Sequence, residues 1–182
     1  MKQPQQDGSG RPIAMALVAC LLTMPLVVNE ARAQVAEADL LGADGAPIGK
    51  VTLTQMARGV HIQAEASGLP PGIHAFHIHA VGICEPPFES AGGHFNPTDE
   101  QHGWNNPQGY HAGDLPNVHV HEDGVLAVEY FSDAVTLGEG ETTLFDADGS
   151  SIVIHEGPDD YQTDPTGHAG ARIACAVVVP PR

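Results

Sequence analysis

In the stretch VHIQAEA, Val60, Ile62, Ala64 and Ala66 alternate with His61, Gln63 and Glu65. A period of two puts the apolar set on one face of a strand and the polar set on the other. Similar short, alternating or β-branched character marks Val35–Leu41, Ile48–Met56, Ile73–His79, Val118–His121, Val125–Phe131, Ser151–His155 and Ile173–Val179. Between the runs lie Asp44-Gly45, Gly68-Leu69-Pro70-Pro71-Gly72, Asp123-Gly124 and Asp148-Gly149, residues whose backbone preferences suit tight reversals. No segment after Gln34 carries a helical apolar stripe, and there is no internal repeat. About eight strands joined by tight turns predict an all-β domain, an antiparallel sandwich or barrel. Two stretches break the pattern: Ala80 to Asn117 and Glu156 to Gly170, both rich in Gly, Pro, Asp and His. Loops of that length in a compact domain are commonly functional or disordered, and the histidines favour function.

The first 33 residues follow a different logic. Lys2 and Arg11 precede an apolar run from Ile13 to Val28, and Ala31-Arg32-Ala33 supplies a small-x-small cleavage pattern. This predicts a secretory signal over 1–33 and an exported, periplasmic or extracellular domain over 34–182. The run is short for a membrane span and is interrupted by Pro25, so no stable membrane insertion is expected after processing. Leu17-Val18-Ala19-Cys20 resembles a lipoprotein box, but cleavage there would leave most of the apolar run behind. Cleavage after Ala33 leaves 182 − 33 = 149 residues, enough for one domain with its own core. Cys20 departs with the leader, so Cys84 and Cys175 remain as an even pair bound for an oxidising compartment, where they should bond to each other. Four cations against 21 carboxylates give 4 − 21 = −17, which argues against nucleic acid and anionic membranes as partners.

Chemistry concentrates in the histidines. His77 and His79 share one strand face while Phe76 and Ile78 share the other, so the apolar pair belongs to the core and the imidazoles form a two-toothed chelate on the outer face. His74 has the parity of the core pair and is expected to be a buried structural histidine, not a ligand. The first long loop adds His94, His102, His111 and Asp114, four ligand-type residues within 21 positions. His111 and Asp114 are three residues apart on a Gly-containing turn, a spacing that lets both reach one cation. Three nitrogen donors and a carboxylate suit tetrahedral zinc, whereas copper favours imidazole-rich sites. His119 and His121, a second His-x-His, are expected on the surface.

The segments GIHAFHIH, SAGGHFNP, HAGDLPN, VIHEGPDD and GARIACAVV, in this order between Val35 and Val179, resemble the copper/zinc superoxide dismutases. Cys84 follows His79 by only five residues and resembles the secreted bacterial branch. The resemblance implies a Greek-key β-sandwich or barrel with two long functional loops. It further implies copper on His77, His79, His94 and His155, zinc on His94, His102, His111 and Asp114, and therefore a shared His94. Asp159 matches the carboxylate that links His77 to His102, and Arg172 the cation beside copper. His168 stands where many members carry another polar residue.

The implied activity is dismutation of superoxide to dioxygen and hydrogen peroxide, with His94 leaving copper and taking a proton on reduction. A rival from another class is a copper/zinc buffer or delivery protein on the same fold. Loss of a copper histidine or of the channel arginine would favour that rival, but all four histidines and Arg172 are present. HEDGV and HEGPD lack the second histidine of a zinc-protease helix, and Met56 is the one methionine left for a blue-copper site whose cysteines are expected to bond to each other. Trp104 and Tyr110 could anchor a homodimer or fold onto the underside of their own loop. For Arg172 the bland expectation is a surface ion pair with Asp159, Asp160 or Asp164.

Overall fold

The computed structural model describes Met1 and residues 34–180; the expected leader and its cleavage site lie outside the described residues. Among the described residues nine strands form: β1 (Val35–Gly42), β2 (Pro47–Gln55), β3 (Val60–Ala66), β4 (Gly72–His74), β5 (Phe76–His79), β6 (Val118–Val120), β7 (Leu126–Ser132), β8 (Ser150–His155) and β9 (Arg172–Val178). Seven make one antiparallel sheet in the order β5-β8-β9-β1-β2-β3-β7, and β4 pairs with β6 in a small second sheet. The neighbours β5–β8, β1–β9 and β3–β7 are distant in sequence, which requires the long returns of a Greek key. No helix among the described residues is long and apolar enough to cross a membrane.

The alternation in VHIQAEA appears as burial: Val60, Ile62, Ala64 and Ala66 are buried while Gln63 and Glu65 are exposed. These side chains join Leu40, Leu53, Phe76, Ile78, Ile152, Ile154 and others in the main core. The eight expected strands become nine because Ile73–His79 breaks at Ala75. Gly72–His74 pairs with β6, whereas Phe76–His79 pairs with β8 in the other sheet. Backbone bonds from Ala75 N–H to Gly157 and from His155 N–H to Ala75 hold the break against the second long loop.

The outer face of β5 is not open. All four residues of β5 are buried, His77 and His79 completely. β5 is the sheet edge, and the first long loop is stitched along it by Ile78 N–H to Gly113, Phe95 N–H to Ile78 and Ala80 N–H to Gly93. A loop that satisfies an edge strand's backbone groups both protects the edge and excludes water from its side chains. Gly113 permits this approach, since a Cβ there would sit 2.3 Å from the Ile78 carbonyl oxygen.

A smaller apolar cluster, Phe88, Ala91, Val153 and Cys175 with Leu41 and Cys84, anchors the start of that loop. Within it Cys84 and Cys175 form a disulfide with a Cα–Cα distance of 5.7 Å, closing 91 positions of chain. In the chain-entropy view such a closure contributes about 4–5 kcal/mol.

Candidate metal centre

Two clusters of donor atoms share one imidazole. His77, His79, His94 and His155 converge in the first and His94, His102, His111 and Asp114 in the second, each cluster with its donors within 4.8 Å of one another. Strands place three of the first set: His77 and His79 two apart on β5, and His155 at the end of the adjacent β8. The β8–β9 register shifts between Ile154 and His155, a local irregularity of the kind that re-aims a side chain. His94 arrives from the loop, its backbone bridged to His79.

Hydrogen bonds decide which nitrogen of each ring is left for a metal. His79 Nδ1–H donates to the Gly92 carbonyl at 3.0 Å and His155 Nδ1–H to that of Gly170 at 3.3 Å, so both Nε2 atoms turn inward, 3.2 Å apart. His77 donates through Nε2–H to Asp159 at 2.8 Å, and its Nδ1 is buried without a partner. His94 Nε2 is likewise buried and unpartnered. Orphaned buried nitrogens are costly and rare, and two that face two further imidazoles fit a metal ion that prefers nitrogen, copper above all.

The second cluster is organised around a carboxylate. Asp114 Oδ2 accepts from the backbone N–H groups of Gly103 and His111 at 2.9 and 3.1 Å. That leaves Oδ1 facing His94 Nδ1 at 2.9 Å, His102 Nδ1 at 3.0 Å and His111 Nδ1 at 3.3 Å. Three imidazoles and one carboxylate, all buried, fit tetrahedral zinc. Asp159 spans the two clusters, with Oδ2 on His77 and Oδ1 accepting from His102 Nε2–H at 2.9 Å. Such a carboxylate fixes ring orientation and ligand basicity.

Burial, with neighbouring imidazoles, pushes His79 down to about 2 and His155 to about 3, and burial likewise lowers His94 to about 4. Burial also opposes charge on His102, but hydrogen bonds to Asp114 and Asp159 outweigh it and raise this ring to about 9. Burial would raise both carboxyls, yet contacts with the histidines hold Asp114 and Asp159 well below the ordinary range.

Opposite pH trends in the metal-free protein follow from these shifts. The three depressed histidines take up protons in the unfolded chain first, so stability declines as pH falls below about 6.5, by up to about 1.4 kcal/mol per pH unit for each. His102 stabilises fully below about 6.5 and loses that contribution as pH rises through about 9. Thermal unfolding of the apo protein should therefore peak between these limits and fall most steeply on the acid side; a flat profile from pH 7 to 5 would contradict it. Zinc binding must also displace the His102 proton, so calorimetry near pH 7.5 should detect proton release.

The residues singled out from sequence sort clearly. His74 is buried, with its ring nitrogens facing the carbonyl oxygens of His155 at 2.8 Å and Pro70 at 2.9 Å, and it joins neither cluster. His119 and His121 lie exposed with ring centroids 5.6 Å apart, outside both clusters. His168 is exposed, 3.4 Å from Asp160. Arg172 does not pair with Asp159, Asp160 or Asp164: its guanidinium donates to the carbonyls of Phe88 and Gly92 and lies 3.9 Å from Glu89. Two supporting residues escaped the sequence reading. Asn117 clamps the Asp159 backbone from both sides, at 2.8 and 2.9 Å, and Gly167 leaves room where a Cβ would fall 1.9 Å from Asp159 Oδ1 and 2.8 Å from His102 Nε2. The N of HAGDLPN was the available signal for Asn117, but a clamp across 42 positions is invisible to local pattern.

Replacing Asp114 by alanine should empty the second cluster. It removes one donor and strands the Gly103 and His111 N–H groups, a penalty of about 1–3 kcal/mol for each unsatisfied group. Zinc content should fall and proteolysis of the loop quicken before copper content changes; unchanged zinc and unchanged cleavage would sink the assignment.

A family model described as copper/zinc superoxide dismutase matches residues 47–178. "Superoxide dismutase [Cu-Zn] 1" of Aquifex aeolicus is 51% identical over 144 residues, covering 78% of this chain and 85% of that protein. The "Superoxide dismutase [Cu-Zn]" of Caulobacter vibrioides is 45% identical over 147 residues, covering 79% and 84%. The crystal structure of a SOD-like protein from Bacillus subtilis superposes with a TM-score of 0.76 at 41% identity, covering 79% of this chain and 97% of that one.

Proposed function

The chain belongs to the copper/zinc superoxide dismutase family, and from that premise we propose how its residues divide the work of converting superoxide to dioxygen and hydrogen peroxide. The observation that carries the reading is four buried imidazoles converging on one point, two of them with unpartnered nitrogens, with His94 turned toward a second cluster through its other nitrogen. His77, His79, His94 and His155 would hold copper, which would supply the one-electron couple, and His94, His102, His111 and Asp114 would hold zinc, which does no redox chemistry.

The protein's own part is positional and electrostatic. Arg172, held by two carbonyls of the disulfide-anchored loop, attracts and hydrogen-bonds the substrate anion. His94 holds a proton at Nε2 between the two electron transfers and returns it. Asp159 keeps the His77 and His102 rings oriented while this happens. The alternative of a metal buffer without turnover has nothing specific in its favour, because the complete histidine set and the arginine are all in place. Superoxide decay followed with protein carrying both metals, with zinc alone and with neither decides the matter: turnover confined to the copper-containing form is expected, and none in any form would overturn the reading.

Residues 1–33 act as an export signal in this reading, leaving a periplasmic or extracellular domain that begins at Gln34 and has no free thiol. Amino-terminal sequencing and thiol titration of the exported protein test this; a lipidated Cys20 would refute it. Trp104 and Tyr110 are exposed and form an edge-to-face pair at 6.0 Å, while Trp104 also stacks on Tyr161 at 5.5 Å. With Phe131 they line a shallow cleft of about 310 Å³, a face that supports a homodimer; sedimentation that stays monomeric at high concentration would rule it out.

A further inference from the structure

We propose that Glu89 sets an electrostatic limit on substrate capture, by opposing Arg172 at the entrance to the first cluster. The inference rests on the dismutase reading and adds a residue to it. Among the described residues the cations are Lys50, Arg58 and Arg172. Lys50 faces Glu37 at 3.4 Å, and Arg58 lies in the β2–β3 turn. Arg172 lies opposite His155 in the β8–β9 register, and its guanidinium shares the Gly92 carbonyl with His79 Nδ1–H. Its attraction for an anion is therefore not reinforced by a second cation there.

Glu89 lies beside that charge and is oriented to weaken it. Its carboxylate is 3.9 Å from the Arg172 guanidinium, too far for a hydrogen bond, and its side chain is 81% exposed. Among the described contacts, Glu89 makes no side-chain hydrogen bond that would fix the loop. Arg172 is already held by Phe88 and Gly92, so it does not depend on Glu89 for its place. Glu156, next to His155, adds a further exposed carboxylate near Gly170. A small anion approaching Arg172 therefore meets like charge a few ångströms from its path. Coulomb's law in water makes a carboxylate about 6 Å from a passing anion worth about threefold in capture.

The test uses protein loaded with both metals. Glu89→Gln keeps shape and removes the charge, so kcat/KM should rise about threefold at 10 mM salt, where the Debye length is about 30 Å, and the gain should fade toward unity by about 1 M, where it is about 3 Å. Glu89→Lys should raise it further and make added salt more inhibitory. Glu122→Gln, in the turn after β6, changes net charge equally and should leave the rate unchanged. An unchanged or slower Glu89→Gln enzyme with full copper and zinc overturns the proposal, the slower case meaning that Glu89 supports the guanidinium. An equal gain from Glu122→Gln overturns it in favour of net charge. Absence of turnover in wild type would instead sink the dismutase reading itself.

Discussion

His79→Ala is expected to abolish copper-dependent superoxide decay, whereas His121→Ala leaves it nearly intact. Both residues belong to a His-x-His in a strand-like run of sequence, so spacing alone cannot rank them. Their surroundings can. His79 is fully buried, its Nδ1–H is fixed by the Gly92 carbonyl, and its Nε2 lies 3.2 Å from that of His155, among the donors of the first cluster. Removing it deletes a donor outright, so the loss should exceed the roughly 10- to 100-fold typical of changes to groups that only support a ligand. Zinc should stay, because the second cluster does not use His79. Metal analysis beside the rate assay separates a copper-site defect from misfolding. Comparable losses from the two variants would mean that the wrong pair has been assigned to copper.

Arg172→Glu carries the second large effect: kcat/KM should fall by about tenfold or more with both metals retained, the low end of electrostatic focusing. Residues 34–182 carry 4 − 21 = −17, so capture depends on a local field that opposes the global one. Substitution reverses that field and also loses the bonds to Phe88 and Gly92, so the rate alone is ambiguous. Salt resolves the ambiguity. Screening should slow wild type and slow the variant less, or speed it, whereas mere loosening of the loop would leave the salt response unchanged in sign. A metal-replete variant as fast as wild type at low ionic strength would remove Arg172 from the capture step.

The strands were legible because a strand's side-chain period is local. Val60–Ala66 alternates in sequence and in burial alike, and the other strand ends differ by at most one residue, where turns and edge pairing decide the last hydrogen bond. Ile73–His79 was the exception. Its pattern runs on through Ala75, but the backbone bonds of Ala75 go to Gly157 and His155, and those partners are some eighty residues away.

Sequence by itself determined the all-β class, the excess of negative charge and the ligand-type residues, since each follows from composition or from spacing within a few positions. Only the tertiary structure decided that the outer face of β5 is buried beneath a loop, that Asn117 clamps Asp159, that Gly167 makes room for it, and that Arg172 faces Glu89 in place of the nearby aspartates. All four depend on distances between segments far apart in the chain, which packing sets, and for the buried polar groups those distances also decide the hydrogen bonds. A buried polar group must find its partner wherever the fold brings one within about 3 Å, and that distance is set by packing between segments far apart in the chain.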